Sequence, residues 1–563
     1  MAEARVYKPG GSTFAPAKHE ATCDLDENEP DDAWLVVALP TTRTDNLCVR
    51  KSQLIFQPSF RPITSVARPS SRVFLCRRGG VFAAHYLPTI CPPMTFALSS
   101  RYQRLLADTV TPVGLYLRLR DRYPNCLLLE SSDYHGQQNA FSYLACDPLA
   151  RFEVRAGHVS ETWPDGTTTT AALPAAGAVL ARLQAFAGSF QTEKSGFDFI
   201  SDGLFGYLGY EAIQYFEDLT LNPAKAAAGG IPDAVFAVYR YVIAINHFRN
   251  ELYVFEHTLA GSNAQADGLT QLVNLVRSPS LPAYEFATVG EETTNQTDEE
   301  FLVALGRAQD HCRRGDVFQL VLSRRFQQEF QGDEFNVYRA LRSINPSPYL
   351  FYFDYGDYKL FGSSPETQVL IKGRQASLFP IAGTFRRTGH DAQDAALAQQ
   401  LADDPKENAE HVMLVDLARN DLARHGDKVE VKVFREIQYY SHVIHLVSEV
   451  TATLAPDAEP LQVVADTFPA GTLSGAPKHR AMQLIDGLEP TARGYYGGAL
   501  GHLGFNGDVN LAIMIRSFLS AGNQLYYQAG AGVVAVSDID SELNEVHHKL
   551  AALRQALREA QNV

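Results

Sequence analysis

The chain has 563 residues, with 49 basic side chains against 64 acidic ones, so its formal charge is −15. Hydrophobic residues make up 45% and charged residues 20%, a globular composition that excludes a disordered, collagen-like or coiled-coil chain and leaves room for two large domains or one double-layered fold. The acidic balance, without a stripe of clustered Lys and Arg, excludes a nucleic-acid binder, which must face phosphates with basic side chains.

Residues 1–93 hold ten of the 29 prolines and four of the seven cysteines, with only short apolar runs. They read as an atypical N-terminal extension that does not pack, or as sequence upstream of a misassigned start, and patterned sequence opens at Met94. The cysteines show no C-x-x-C spacing, so neither a zinc ribbon nor a dithiol redox motif can be drawn, and reduced thiols are expected. The first residues lack a basic-then-apolar signal pattern, and no run approaches the roughly 18 apolar residues of a membrane span. A cytoplasmic protein with no membrane contact is the expectation.

From residue 94 to about 275, strand candidates (Cys126-Leu-Leu-Leu-Glu, Ala234-Val-Phe-Ala-Val-Tyr, Leu252-Tyr-Val-Phe) mix with helix-like stretches such as Ala178 to Phe186. This is an α+β pattern. The polar stretch from Val289 to Glu300 reads as a linker that ends a first domain, 94–288, and opens a second, 289–563, with Thr297 or Asp298 capping its first helix. Strand candidates at Phe318–Ser323, Tyr349–Phe353 and Leu511–Arg516 follow, with two long helical patterns.

The last helix carries Leu543, Val546, Leu550, Leu553 and Leu557 at spacings of three and four, after Asp538 and Asp540 as capping residues. Glu542, Glu545 and Lys549 lie beside that stripe. Upstream, Gly530 and Gly532 stand at a strand end, where missing side chains let a ligand approach backbone N–H groups. The other long helix starts Asp404-Pro-Lys-Glu, with Pro405 in the permitted first turn and Glu407 and Glu410 on one face. Two such carboxylate pairs suit a hard cation such as Mg²⁺; on spacing alone, unrelated acidic solvent faces are the simpler account.

Pro380-Ile-Ala-Gly-Thr-Phe and Phe468-Pro-Ala-Gly-Thr-Leu-Ser-Gly-Ala-Pro-Lys each place Gly-Thr in a turn that offers donors to an anion, and the second does not fit a Walker A loop. Arg516 would be costly to bury unpaired, so a carboxylate partner is expected, either a substrate or an Asp. His445 alone reads more readily as a satisfied core histidine than as an acid or base.

Taken together and in order, these segments change the odds. From about Met94 onward the chain resembles the chorismate-utilising enzymes, and among them the family of anthranilate synthase large subunits, component I. The resemblance rests on Leu128-Leu-Glu-Ser131, Gly206-Tyr-Leu-Gly-Tyr-Glu211, Asn345-Pro-Ser-Pro-Tyr349, Gly362-Ser-Ser-Pro-Glu366, Pro380-Ile-Ala-Gly-Thr384, the run from Glu410 to Asp421, Gly471-Thr-Leu-Ser-Gly-Ala-Pro-Lys478, Gly530-Ala-Gly532 and Glu545-x-x-x-Lys549.

The resemblance implies an α/β sandwich with large antiparallel sheets packed between helices, plus an N-terminal regulatory, tryptophan-sensing domain. It implies that ammonia attacks C2 of chorismate with loss of the 4-hydroxyl, and that elimination of pyruvate then yields anthranilate. Glu410 and Glu545 match the Mg²⁺ carboxylates, with Glu407 and Glu542 as helpers. Gly383, Thr384, Thr472, Tyr496, Arg516, Gly530, Ala531, Gly532 and Lys549 match chorismate-contacting positions. Glu366 matches the acid at the leaving hydroxyl, and His445 a histidine of the elimination step, with Thr384 beside them. Ser131, Pro348, Tyr349 and Leu350 match the positions that bind L-tryptophan as inhibitor.

Departures from neighbouring families sharpen this. Relatives that add water carry a basic Lys where this chain has Gln319, and aminodeoxychorismate synthases typically carry a nucleophilic Lys where it has Ala382. A non-catalytic chorismate- or tryptophan-binding regulator would have no need of an acid at Glu366. No G-x-C-x-G nucleophile elbow is present, so the resemblance implies a separate glutamine amidotransferase subunit as the ammonia source.

Overall fold

A computed structural model of the chain describes residues 95–131, 140–173, 177–193, 196–261, 267–440 and 443–563, together with five short strands between residues 4 and 83. Residues 1–92 and 93–563 are two separate units. In the first, Ala4–Tyr7, Trp34–Val37 and Leu47–Arg50 form an antiparallel sheet, and Phe74–Arg77 pairs with Gly80–Ala83. The reading of residues 1–93 as an unpacked extension falls mostly outside the described residues.

The second unit is α+β. Its layering follows from strands that bury both faces, whose alternate side chains enter different cores. In Tyr349–Asp354, Leu350 and Tyr352 join a core with the helices Asp298–Arg314, Phe335–Ile344 and Ile539–Glu559, while Phe351 and Phe353 enter a second core. In Ala499–Leu503, Leu500 enters that same second core, whereas Ala499 and Leu503 join a third with the helices Ala178–Gly188 and Pro405–Ala423. Two sheets, antiparallel except where Phe190–Thr192 pairs parallel with Phe96–Leu98, thus lie face to face with helices outside both. Each fully buried Leu or Phe adds roughly 1.5–3 kcal/mol to that packing.

The strand Ala234–Asn246 belongs to both sheets. Residues 234–238 pair with Leu204–Leu208, residues 241–246 pair with Glu251–Glu256, and the register shifts between Val238 and Tyr239. A bulge at that point turns the strand from one sheet to the other. Two further passages between sheets matter more for chemistry. The chain leaves the first sheet after Tyr358–Ser364 to enter the second at Thr367–Lys372, and returns between Val509–Ile513 and Ser517–Ala521.

Two helix-cap expectations hold: Thr297 caps Asp298–Arg314 in a capping box with Glu300, and Asp538 caps Ile539–Glu559. Asp404 caps Pro405–Ala423. Among the described residues no helix is long and apolar enough to cross a membrane, and Cys126, Cys146 and Cys312 are buried free thiols. The polar linker is a correction: Phe286–Thr294 is a strand paired with Gln319–Gly332. Strand pairing uses the backbone, so a polar segment can join an edge when its side chains reach solvent or partners, and Glu292 pairs with Arg554 at 2.6 Å. The Gly-Thr turn at residues 383–384 is likewise a bulged strand, Ile381–Arg386, and the apolar strand before Arg516 stops at Ile513.

Candidate active site

Glu366 and Arg516 stand at the two crossings between sheets. Hydrogen bonds tie these crossings together, from Ser363 N–H to the Arg516 carbonyl at 3.1 Å and from Ile513 N–H to the Glu366 carbonyl at 3.0 Å. A crossing places a side chain between layers, where water is scarce and charge is expensive. Burial accordingly pushes the Glu366 carboxyl up to about 7, against the hydrogen bond from Thr472 Oγ1 to Glu366 Oε1 at 2.9 Å and the charges of Arg516 and Lys549. Glu366 therefore holds a proton near neutral pH.

Arg516 has a left-handed backbone with φ of 51°, a conformation uncommon outside glycine. Burial lowers its guanidinium pKa against the charges of Tyr496, Glu545 and Glu366. Of the two carboxylate partners the sequence left open, a protein side chain is not found: among the described residues no Asp or Glu is within ion-pair distance of Arg516. Tyr496 is buried beside it with its hydroxyl facing the Gly530 backbone, and desolvation raises its pKa to about 12.

Thr472 sits in the short helical turn Gly471–Leu473, packed onto the Pro405–Ala423 helix so closely that a side chain at Gly471 would meet Leu417 Cδ2 at 2.3 Å. Across the site, His445 on Val443–Leu454 bonds through Nδ1 to the Gly383 carbonyl at 2.9 Å. A carbonyl only accepts, so the proton is on Nδ1 and the imidazole lone pair is on Nε2. Burial pulls the His445 pKa down to about 4, which keeps the ring neutral. Gly383 occupies a bulge at φ of 70°, and a Cβ there would meet Leu401 Cδ1 at 2.5 Å and Glu407 Oε2 at 3.1 Å. Thr384 pairs with His445 in the ladder; its side chain lies outside the described residues.

Gly530, Ala531 and Gly532 pair with Ser323, Leu322 and Val321 in the neighbouring strand. The missing side chains serve that strand as well as any ligand. A Cβ on Gly530 would meet the Leu322 carbonyl at 2.6 Å, and one on Gly532 would meet Gln319 Nε2 at 2.9 Å. Gln319 is buried, and its Oε1 has no hydrogen-bond partner among the described residues.

The two acidic helices do converge. Lys406 Nζ lies 4.0 Å from Glu410 Oε1 and 3.5 Å from Glu542 Oε1, and Glu545 interacts with Glu542, Glu407 and Glu410. Burial, followed by repulsion from the other carboxylates, raises Glu410 to about 7. Lys549 is paired with Glu545 Oε1 at 2.5 Å and donates to the Gly530 carbonyl at 2.8 Å. Among the described residues no three acidic, His or Cys groups close around one point as a metal centre. The donor set nonetheless suits a hard cation, because Glu410 Oε1 and Glu542 Oε1 are buried acceptors without a hydrogen-bond partner. Sequence reasoning passed over Lys406, although its spacing of four from Glu410 is a readable signal.

The remaining predicted residues gather elsewhere. Leu350 faces Glu130 across the ladder, and Glu130 accepts from Arg342 at 2.9 Å and from Tyr338 at 2.6 Å. Ser131 follows that strand, and its N–H bonds the Phe141 carbonyl at 3.3 Å. Pro348 precedes the partner strand, which Tyr349 opens, and the Tyr349 hydroxyl lies 2.9 Å from Thr367 Oγ1, one residue from Glu366.

The sequence model of the family described as chorismate binding enzyme matches residues 124–555. Anthranilate synthase component 1 of Neisseria meningitidis serogroup C is 38% identical over 473 residues, covering 82% of this chain and 95% of that protein. The protein of the same name from Arthrobacter globiformis is 35% identical over 483 residues, covering 81% and 90%. The crystal structure of anthranilate synthase component I from Streptococcus pneumoniae superposes with a TM-score of 0.66 at 32% identity, over 80% of this chain and 99% of that one. The menaquinone-specific isochorismate synthase of Escherichia coli superposes at 0.63 with 18% identity, over 83% and 96%, a likeness of fold alone.

Proposed function

The chain belongs to the family of chorismate binding enzymes, and from that premise we propose that it makes anthranilate and pyruvate from chorismate and ammonia, as the large component of a two-component synthase. The observation that carries this reading is Arg516, a buried guanidinium that feels the charges of Tyr496, Glu545 and Glu366 and has no Asp or Glu within ion-pair distance among the described residues. Such a group stands ready for an anionic substrate, because a planar fork matches a carboxylate with two parallel bonds.

With the substrate held by Arg516, Glu366 acts as general acid. Thr472 occupies Oε1, so the carboxyl proton sits on Oε2. In the first step ammonia forms a bond to C2, the two ring double bonds shift, and the C4–O bond breaks. The hydroxyl takes the Glu366 proton and leaves as water, and the carboxylate recovers a proton from the new ammonium group. In the second step the C2 hydrogen leaves, the C3–O bond breaks, and the enolpyruvyl methylene gains a hydrogen to become pyruvate. His445, which burial keeps neutral, would take the C2 proton in this reading.

Glu410 and Glu545, helped by Glu407 and Glu542, would hold the Mg²⁺ ion. When bound, that ion supplies a positive charge for a substrate carboxylate. Gln319 in place of a Lys base favours ammonia over water as nucleophile, since ammonia brings its own lone pair. Ala382 cannot form the covalent adduct that a Lys there would. Ammonia is mostly ammonium at neutral pH, so a glutamine-hydrolysing partner subunit is part of the proposal. So is L-tryptophan as an inhibitor held by Ser131, Pro348, Tyr349 and Leu350, in a cytoplasmic biosynthetic enzyme.

The test is to incubate the purified chain with chorismate, Mg²⁺ and an ammonium salt at alkaline pH, and to identify products by mass and anthranilate fluorescence. Anthranilate with pyruvate is the expected result. Accumulated aminodeoxychorismate, isochorismate, or chorismate bound without turnover would each overturn it.

A further inference from the structure

We propose that Arg493, paired with Glu489, is a positioning residue of the candidate site, holding Thr472, Tyr496 and the Gly530 strand in one geometry and tying them to Glu211 of the chain's first half. The proposal rests on the reading of the residues around Glu366 and Arg516 as the chorismate site. It starts from an arginine that is 1% exposed and whose three guanidinium nitrogens all donate hydrogen bonds. Arg493 Nε and Nη2 bond Glu489 at 3.0 and 2.6 Å, Nη1 donates to the Leu473 carbonyl at 2.6 Å, and Nη2 donates to the Val321 carbonyl at 2.8 Å. The planar group also lies 4.6 Å from the Tyr210 ring centre and 6.0 Å from that of Tyr496.

Each bond leads, directly or through one more residue, to an element that carries a residue of the candidate site. Leu473 is the neighbour of Thr472, which bonds Glu366. Glu489 Oε1 also accepts from Ser323 N–H and Oγ, both at 2.8 Å, and Ser323 is the ladder partner of Gly530. Tyr496 lies three residues along the chain. On the other side, the Glu211 carboxylate accepts the backbone N–H groups of Arg493 and Gly494, each at 2.8 Å, and Tyr210 N–H bonds the Gly494 carbonyl at 2.8 Å. Two successive N–H groups with Gly494 at φ of 64° make a concave seat for that carboxylate.

A buried ion pair is weak evidence for stability, because desolvation offsets its attraction. Its geometric consequence is firmer: a rigid fork that reaches one carboxylate and two carbonyls allows one placement of all three strands of chain. A lysine keeps the charge but cannot make the fork, so Arg493→Lys separates positioning from charge.

The experiment compares wild type, Arg493→Lys, Thr472→Val and the double variant. It measures kcat, KM for chorismate, the pH profile of kcat and the thermal midpoint. Wild-type turnover reads the proposed function, and the differences between variants read the positioning role. Arg493→Lys is expected to stay folded, to lose about tenfold in kcat, and to move the alkaline limb set by Glu366 to higher pH. That direction follows because Thr472, alongside Arg516 and Lys549, holds the Glu366 pKa down. The double variant is expected to show no further limb shift beyond Thr472→Val, since coupled residues are not additive. If Arg493→Lys does not fold, the pair Arg493→Gln with Glu489→Gln, which leaves no lone buried charge, is read in the same way. A lower thermal midpoint with unchanged kcat, KM and pH limb, or effects that add to those of Thr472→Val, would overturn the proposal.

Discussion

Thr472 Oγ1 donates to Glu366 Oε1 at 2.9 Å, and this single bond decides which carboxyl oxygen can present a proton to the cleft. Burial has already made the carboxyl a weak acid, with a pKa of about 7.

A pH consequence follows. With a fixed total of ammonium salt, the ammonia fraction rises tenfold per pH unit below the ammonium pKa. Above about pH 7 the protonated fraction of Glu366 falls by the same factor. The rate should therefore climb up to about 7, flatten, and then decline beyond the ammonium pKa. Glu366→Gln should lower kcat by about 10²–10⁴ while chorismate binding persists. A rate that keeps climbing tenfold per unit through pH 8 would remove Glu366 as the acid.

Arg516→Gln should raise KM for chorismate by about tenfold or more, the worth of a charge-assisted bond of about 1.5–3 kcal/mol. Arg516→Lys should recover only part of that loss, because an ammonium group does not make two parallel bonds. Initial-rate kinetics at saturating ammonium would decide, and an unchanged KM would send the substrate carboxylate elsewhere.

Gly383→Ala places a methyl group 2.5 Å from Leu401 Cδ1 and 3.1 Å from Glu407 Oε2 at a φ of 70°. The backbone strain should cost about 1–3 kcal/mol. The shift should also disturb the Gly383 carbonyl that holds His445 and the Glu407 side of the proposed cation site. Thermal unfolding with and without Mg²⁺ should show a lower midpoint and a smaller stabilisation by the ion. An undisturbed response to Mg²⁺ would separate Gly383 from that site.

His502 is buried, bonds the Asp202 carbonyl through Nε2 at 2.8 Å, and is held near a pKa of 4 by burial. In the unfolded chain its pKa returns to about 6.5. A lowered folded value means that stability is complete above about 6.5 and is lost as the pH falls toward 4, by roughly 3 kcal/mol in all. The midpoint of wild type minus that of His502→Asn should therefore shrink across that window. Parallel curves would show that His502 does not titrate on unfolding.

Much of the second half could be read locally. Helix caps at Thr297 and Asp538, the apolar stripe from Leu543 to Leu557, and the placing of Glu407, Glu410, Glu542 and Glu545 on helix faces follow from spacing and short-range hydrogen bonds, which the sequence by itself determines. The motifs around Glu366, Gly471 and Gly530 could be recognised for the same reason. Only the tertiary structure decided that Phe286–Thr294 is a strand, because strand pairing draws on the backbone of a distant partner. It alone put Glu366 and Arg516 at the crossings between sheets, Lys406 beside Glu542 of the other helix, and Arg493 against the Leu473 and Val321 carbonyls. Desolvation, which raises Glu366 and holds His445 neutral, depends on what surrounds a side chain in space, and chain neighbours do not encode that.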